Sequence, residues 1–283
     1  MTPPAYILML SCPDRPGIVH AVTGFLVGRD GNVNEAAQFH DAATGLFFMR
    51  VRFAMADTSL DALAAELAPI AQTFGMRFEF HAAETRLPTV VLVSKLGHCL
   101  NDLLFRERSG ALPIEIRAVV SNHADFAGLV GSYGIPFHVV PVDAASKAAA
   151  EARLLEIAGD AAAELVVLAR YMQVLSGDLC RALAGRAINI HHSFLPSFAG
   201  ARPYHQAAAR GVKVIGATAH YVTADLDEGP IIEQDTARVD HTMDAQKLTA
   251  VGRDIESSVL ARAVLWHAER RVFVDGGKTV VFR

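Results

Sequence analysis

The sequence predicts an α/β protein built from two domains. Up to about residue 81, apolar runs and helical patterns follow the order strand, helix, strand, strand, helix, strand. From about residue 88, continuous Val/Ile/Leu runs alternate with helical stretches, a pattern typical of parallel strands buried on both faces. A length of 283 residues suits two ordinary domains, and a hydrophobic content of 52% supplies material for both cores.

The first domain, residues 1–84, is predicted to be ferredoxin-like, with the order βαββαβ. Its first strand stops at residues 11–17, a loop dense in turn-forming residues, and the helix that follows ends at Gly28 and Gly31. Phe47 to Phe53 alternate apolar residues with Arg50 and Arg52, which places the arginines on the opposite face of that strand. The predicted strands are 5–10, 32–39, 47–53 and 77–80, and the predicted helices are 18–26 and 60–71.

The second domain, residues 89–283, is predicted to be a Rossmann-like, doubly wound and mainly parallel sheet, joined to the first by a short linker at 85–88. Its predicted strands are 90–93, 114–120, 137–140, 165–168, 187–190 and 217–222. Its predicted helices are 98–107, 124–133, 146–158, 176–184 and a long helix near 249–269. The apolar stripe of that long helix consists of Val251, Ile255, Val259, Ala263 and Trp266.

Charge and cysteine content exclude several classes of protein. A formal net charge of −4 gives no basic surface for nucleic acid or an anionic membrane. There is no apolar run near the roughly 20 residues of a membrane span and no signal-peptide pattern, so we expect a cytoplasmic protein. Cys12, Cys99 and Cys180 are scattered, which argues against disulfides and against a zinc site, and we expect no metal.

Polar side chains follow two neighbouring strands of the second domain. Asn189 and His191 lie at the end of one strand, and the next strand runs through His220 into a loop that contains Asp227. In an open parallel sheet, ligands bind beyond the carboxyl ends of the strands. An amide, an imidazole and a carboxylate together suit acyl chemistry, because they can hold an oxyanion and move a proton.

These motifs make residues 88–283 resemble the formyltransferase family that uses 10-formyltetrahydrofolate. The family's Asn-x-His motif followed by Leu-Pro matches Asn189, His191 and Leu195-Pro196, and its second motif matches His220 with the segment 226–232, Leu-Asp-Glu-Gly-Pro-Ile-Ile. The resemblance implies that Asn189, His191 and Asp227 are the catalytic residues and that His220 supports them.

The resemblance also implies a folate pocket formed by a strand end and a loop. Its expected residues are Tyr171, Met172, Gln173, Val174, Leu175, Val222, Thr223, Ala224 and Asp225. Arg170, Arg202 and Tyr204 either face the negatively charged tail of the substrate or are solvated surface residues.

Residues 5–81 resemble an ACT domain, a module that binds amino acids and pairs between subunits, with Pro13 to Val19 as its first loop. This implies either an amino-acid effector site or a surface used only for dimerisation, and a homo-oligomer, either dimer or tetramer. The effector contacts implied are Arg15, Gly17, Ile18 and Asn32. An ACT domain ahead of a formyltransferase-like domain is similar to the formyltetrahydrofolate deformylase family over the whole chain.

The loop after the first strand of the second domain favours a hydrolase. Formyltransferases that act on glycinamide ribonucleotide carry a Gly-x-Gly-Ser-Asn loop that holds a phosphate, whereas here Leu96 and His98 flank a single glycine, Gly97. Without a binding site for an amine acceptor, water is the expected nucleophile, and the expected products are tetrahydrofolate and formate. The resemblance implies that the formate is supplied to purine synthesis. No cofactor is expected. The alternatives are a formyltransferase with an amine acceptor and a non-catalytic sensor of folate or amino acids.

Overall fold

The computed structural model describes residues 3–196 and 203–283, and the chain forms two units. The first unit extends to Thr85 and also includes Glu269–Phe273 and Val280–Arg283. The second comprises Arg86–Ala268 and Val274–Thr279.

The first unit is a four-stranded antiparallel sheet in the order β2-β3-β1-β4 with two helices. The predicted βαββαβ order is confirmed. One face of the sheet packs on the helices through buried apolar side chains such as Leu8, Val51 and Leu67. The elements are β1 (Ala5–Pro13), α1 (Ile18–Val27), β2 (Asn32–Asp41), β3 (Leu46–Ala54), α2 (Leu60–Phe74) and β4 (Arg77–Ala82).

Two C-terminal segments, Glu269–Phe273 and Val280–Arg283, belong to this first unit, whereas the sequence placed all of 89–283 in the second domain. Arg50, on the strand face away from the helices, is 2% exposed. Its guanidinium donates hydrogen bonds to the carbonyls of Glu269 (3.0 Å) and Arg270 (3.1 Å) and pairs with Glu35 at 3.1 Å. A contact across more than two hundred residues leaves no local pattern, so the domain boundary could not be drawn from the sequence.

The second unit is a seven-stranded sheet in the order β11-β10-β9-β8-β5-β6-β7. β5 to β9 are parallel, β10 is antiparallel to β9, and β11 is antiparallel to β10, as expected for a mainly parallel sheet. The predicted linker is too long, because Leu87 and Pro88 already pair with β6. The strands are β5 (Leu87–Val93), β6 (Ile114–Ser121), β7 (Phe137–Val139), β8 (Leu165–Leu168), β9 (Ala187–His191), β10 (Val214–Tyr221) and β11 (Ile231–Arg238).

The helices of the second unit agree with the predicted positions, with one addition and one correction. The sequence did not indicate α7, nor the C-terminal hairpin of β12 (Val272–Asp275) and β13 (Lys278–Val281). The predicted stripe of α8 is confirmed at Val259 and Ala263, but Val251, Ile255 and Trp266 are only partly buried, while Glu256 is fully buried. The helices are α3 (His98–Arg108), α4 (Ala127–Ser132), α5 (Lys147–Asp160), α6 (Gly177–Ala182), α7 (Pro203–Arg210) and α8 (Ala245–Ala268).

Within residues 3–196 and 203–283, no helix is both long and apolar enough to cross a membrane.

Arg50→Ala should destabilise the protein by about 3 kcal/mol, because the partly buried carbonyls of Glu269 and Arg270 and the carboxylate of Glu35 lose their buried, charged partner. Arg52 is the matched control, since it lies on the same strand and also pairs with a glutamate but is 40% exposed. Arg52→Ala should cost less than about 1 kcal/mol. Urea unfolding followed by circular dichroism measures both, and equal costs would contradict the role assigned to Arg50.

Candidate active site

Three of the predicted catalytic side chains share one face of the β9–β10 ladder. Asn189 and His220 are directly opposite each other in this antiparallel pair, and the Asn189 Nδ2 atom lies 3.2 Å from His220 Nε2. His191 is two residues beyond Asn189 and therefore projects from the same face. The register of this single strand pair brings the two sequence motifs together.

Asp227, in the loop between β10 and β11, completes the cluster. Its carboxylate lies 3.2 Å from His191 Nδ1 and 3.7 Å from His220 Nε2. Hydrogen bonding with His191, and secondly with His220, holds the pKa of Asp227 well below its usual value. The group is therefore a carboxylate at neutral pH, ready to stabilise a positive charge on His191.

The hydrogen-bond partners indicate where the protons lie. His220 Nδ1 is 2.9 Å from the carbonyl of Tyr221, which can only accept, so Nδ1 donates there, and His220 Nε2 lies 3.2 Å from Asn189 Nδ2. His191 directs Nδ1 at Asp227. His191 also lines a cavity with a buried Nε2 atom that has no hydrogen-bond partner among the described residues.

A cavity of about 610 Å³ opens onto this cluster, a size suited to a small organic ligand. It brings together every residue that the sequence predicted for catalysis and for the folate pocket. They are Asn189, His191, His220, Asp227, Tyr171, Met172, Gln173, Val174, Leu175, Val222, Thr223, Ala224 and Asp225.

One cavity wall is a turn fixed to the end of β5. The Ser94 N–H donates to the carbonyl of Arg170, and the Ser94 hydroxyl accepts from the Met172 N–H at 3.0 Å. Met172 and Val174 expose more than half of their side-chain surface, while Tyr171 is buried. This turn offers both apolar surface and a fixed backbone to a flat aromatic ring.

Arg170 and Tyr204 correct one expectation, because neither is a solvated surface residue. Both are buried and contact Glu256, which is 1% exposed: the Arg170 Nε atom lies 3.4 Å from Oε2, and the Tyr204 hydroxyl donates to Oε1 at 2.5 Å. His98 Nε2 lies 2.8 Å from the same carboxylate. Arg202 lies outside the described residues.

Glu256 and its contact with His98 were missed at the sequence level. A signal for the glutamate exists, since Leu248, Gly252, Glu256 and Leu260 recur every four residues and so share a helix face. Burial favours a raised pKa for Glu256, but the hydrogen bond with His98 and the charge of Arg170 outweigh it and lower the pKa. The carboxylate therefore stays ionised although it is buried.

His98, Cys99 and Glu256 place potential metal-ligand atoms within 4.8 Å of one another. Burial raises the pKa of the Cys99 thiol, and the Arg170 guanidinium lies against the carboxylate that a metal would need. Both features disfavour a cation at this cluster.

The residues predicted to bind an effector lie in the first unit. The guanidinium of Arg15 donates to the carbonyl of Thr73 and lies 4.4 Å from the centroid of the Phe74 ring. Gly17 adopts a φ of 96° immediately before α1, Ile18 is buried in the core, and Asn32 is exposed at the start of β2. Arg15 and Ile18 are thus engaged within their own unit.

Known proteins are similar to this chain over most or nearly all of its length. Residues 87–264 match the formyl transferase family model. A formyltetrahydrofolate deformylase from Corynebacterium sp. strain P-1 is 53% identical over 280 residues, which cover 98% of both chains. The crystal structure of a formyltetrahydrofolate deformylase from Burkholderia mallei has a TM-score of 0.95 and 53% identity and covers 99% of this chain and 100% of that one.

A solved transferase matches a smaller part of the chain. The glycinamide ribonucleotide transformylase 1 from Symbiobacterium toebii has a TM-score of 0.65 and 32% identity, and the match covers 70% of this chain and 95% of that one. The fold of the second unit is therefore shared between the two kinds of protein, and the difference between them has to be sought in particular side chains.

His192 should make the protein less stable as the pH falls from about 6.5 to about 4. Burial, and secondly the charge of Arg170, lower the pKa of His192 from 6.5 to about 4. In this window the unfolded chain binds a proton at His192 and the folded chain does not, so acid favours unfolding. His192→Asn should lose less unfolding free energy between pH 7 and pH 4.5 than the wild type does, as measured by urea titration; equal losses would contradict the assignment.

Proposed function

Because this chain belongs to the formyltetrahydrofolate deformylase family, we propose that it hydrolyses 10-formyltetrahydrofolate to tetrahydrofolate and formate. The observation that carries the proposal is the cluster of Asn189, His191 and Asp227 in a cavity of suitable size. The substrate's ring system lies against the turn 171–175 and the loop 222–225, and its formyl group is next to His191 Nε2.

The free Nε2 of His191 is the base that accepts a proton from water as the oxygen attacks the formyl carbon. The Nδ1–H group of His191 keeps its hydrogen bond to Asp227, so the imidazolium forms beside a carboxylate. Asn189 and the protonated Nε2 then stabilise the oxyanion. When the bond between carbon and N10 breaks, the proton passes from His191 to N10, which gives tetrahydrofolate and formic acid, and the acid releases its remaining proton to solvent as formate forms.

His220 acts as a positioning residue in this mechanism. Its Nδ1–H is held by the Tyr221 carbonyl, which fixes the ring, and its Nε2 fixes the Asn189 amide with the Nδ2 group pointing at His220. It also lies within 3.7 Å of Asp227. The His220 imidazole therefore orients the Asn189 amide and the Asp227 carboxylate.

Hydrolysis is favoured over transfer to an amine by the loop after β5. A Cβ atom on Gly97 would lie 2.4 Å from the Phe126 ring, so this glycine is needed for packing rather than for contact with a phosphate. Leu96 and His98 line the cavity, and His98 is bound to Glu256. A sensor without activity is the least favoured alternative, because a complete set of proton-transfer groups surrounds the cavity.

The first unit has the element order of an ACT domain, and we propose that it joins subunits into a homo-oligomer. Strand β2 supports this, since it is one of the two edge strands of the sheet and most of its residues are exposed. An effector site at Arg15, Gly17, Ile18 and Asn32 stays a prediction, as do a cytoplasmic location, the absence of a cofactor or metal, and supply of formate to purine synthesis.

Calorimetric titration of the protein with millimolar glycine or methionine tests the effector site. If no binding heat is measured and the enzyme kinetics are unchanged, the effector site is discarded.

Asp227→Asn should lower kcat by about 10²–10⁴-fold, because the His191 imidazolium loses its carboxylate partner. Tetrahydrofolate binding should be nearly unchanged, since the walls of the cavity stay intact. Asp125→Asn, an exposed aspartate, is the control and should have wild-type kinetics. Steady-state kinetics and calorimetry measure both effects; near-wild-type turnover of Asp227→Asn would contradict the proposed role.

Incubation of the wild-type protein with 10-formyltetrahydrofolate alone separates the candidate functions. We expect equal amounts of formate and tetrahydrofolate with no amine added. A transferase would form neither product until an amine acceptor was supplied, and a sensor would bind the folate without forming either.

A further inference from the structure

Arg170 stands at a backbone position that favours glycine. Its φ is 66°, in the left-handed region, which glycine adopts freely and residues with a Cβ atom rarely adopt. Its side chain is only 8% exposed and points at Glu256. A long, charged side chain held in an unfavourable backbone conformation at a cavity wall indicates that the side chain itself has a function there.

Glu256 connects Arg170 to two further elements. His98 at the start of α3, Tyr204 on α7 and Arg170 after β8 all reach the one carboxylate. Space for Tyr204 depends on Gly252, one turn earlier on α8, because a Cβ atom there would lie 2.2 Å from the tyrosine hydroxyl oxygen. Side chains from α3, α7, α8 and the segment after β8 thus meet around the Glu256 carboxylate.

This cluster lines the same cavity as the catalytic groups. Arg170, His98, Tyr204 and Glu256 are all in the cavity wall, and the His192 ring lies 4.9 Å from the His191 ring and 6.5 Å from the Tyr204 ring. The positive charge of Arg170 offsets the negative charge of Glu256. The cluster therefore forms the part of the cavity wall that continues from His191 through the His192 ring.

We propose that Arg170, Glu256, His98 and Tyr204 form a plug that excludes nucleophiles larger than water from the formyl carbon, and that Arg170 is its specificity-determining residue. The inference rests on the proposed hydrolysis and deepens it. Arg170→Gly relieves the left-handed backbone and empties the volume of the guanidinium, so a small amine gains access beside His191.

Hydroxylamine is a suitable probe, because it is a strong nucleophile only slightly larger than water. Its nitrogen forms a bond to the formyl carbon, the bond between that carbon and N10 breaks, and one proton moves from the hydroxylamine nitrogen to N10. The products are N-hydroxyformamide and tetrahydrofolate, whereas water gives formate and tetrahydrofolate. The ratio of N-hydroxyformamide to formate, after subtraction of the reaction without enzyme, reports which nucleophile reached the carbon.

The experiment compares the wild type with Arg170→Gly and with Arg270→Gly. Arg270 is the matched control, since it is also an arginine with a positive φ, 57°, but lies in the first unit. We expect the product ratio to rise at least about tenfold in Arg170→Gly, equivalent to about 1.4 kcal/mol, and to stay at the wild-type value in Arg270→Gly. If Arg170→Gly still releases formate and its ratio of N-hydroxyformamide to formate equals that of the wild type, the proposal of a plug is overturned.

A double variant covers the case in which the single variant loses activity through the unpaired Glu256 charge. Arg170→Gly with Glu256→Gln removes both charges, and we expect it to retain formate release with a raised product ratio. If the double variant also loses formate release, the cluster is needed for hydrolysis itself and the proposal is overturned. Failure of the wild type to release formate would instead overturn the proposed function.

Discussion

The pairing of β9 with β10 determines the rest of the site. These strands are antiparallel within an otherwise mainly parallel sheet, and their register sets Asn189 opposite His220. Side chains alternate between faces along a strand, so a slip of one residue would send His220 to the other face and leave Asn189 without its partner. Thr218, opposite His191, holds the following loop through the Ser193 carbonyl and the Leu195 N–H.

The sequence was sufficient for those parts of the site that consist of contiguous motifs at strand ends. Asn189, His191, His220 and Asp227 meet because the strands that carry them are neighbours, and the apolar runs already indicated those strands. The geometry added the hydrogen-bond partners of the ring nitrogens. The carbonyl of Tyr221 accepts from His220 Nδ1, and no sequence pattern contains that information.

The buried charges could not be predicted in the same way. Apolar periodicity treats a charged residue as solvated, so it passed over Glu256 and assigned Val251 and Ile255 to the buried stripe of α8. The same periodicity placed Arg50 only on the strand face opposite the apolar residues, and a solvated position was one of two alternatives for Arg170, whereas both side chains are buried. Each is buried because a partner distant in the sequence neutralises it, and burial of a charge becomes tolerable only with such a partner. Composition and spacing record neither partner.

A crystal structure of the protein with tetrahydrofolate and formate bound would show whether the formyl carbon meets the Asn189 and His191 side chains. We expect the pterin ring against the turn 171–175, and one formate oxygen within about 2.7–3.1 Å of both the Asn189 amide and His191 Nε2. Formate bound away from these atoms, or N10 of the folate directed away from His191, would contradict this expectation.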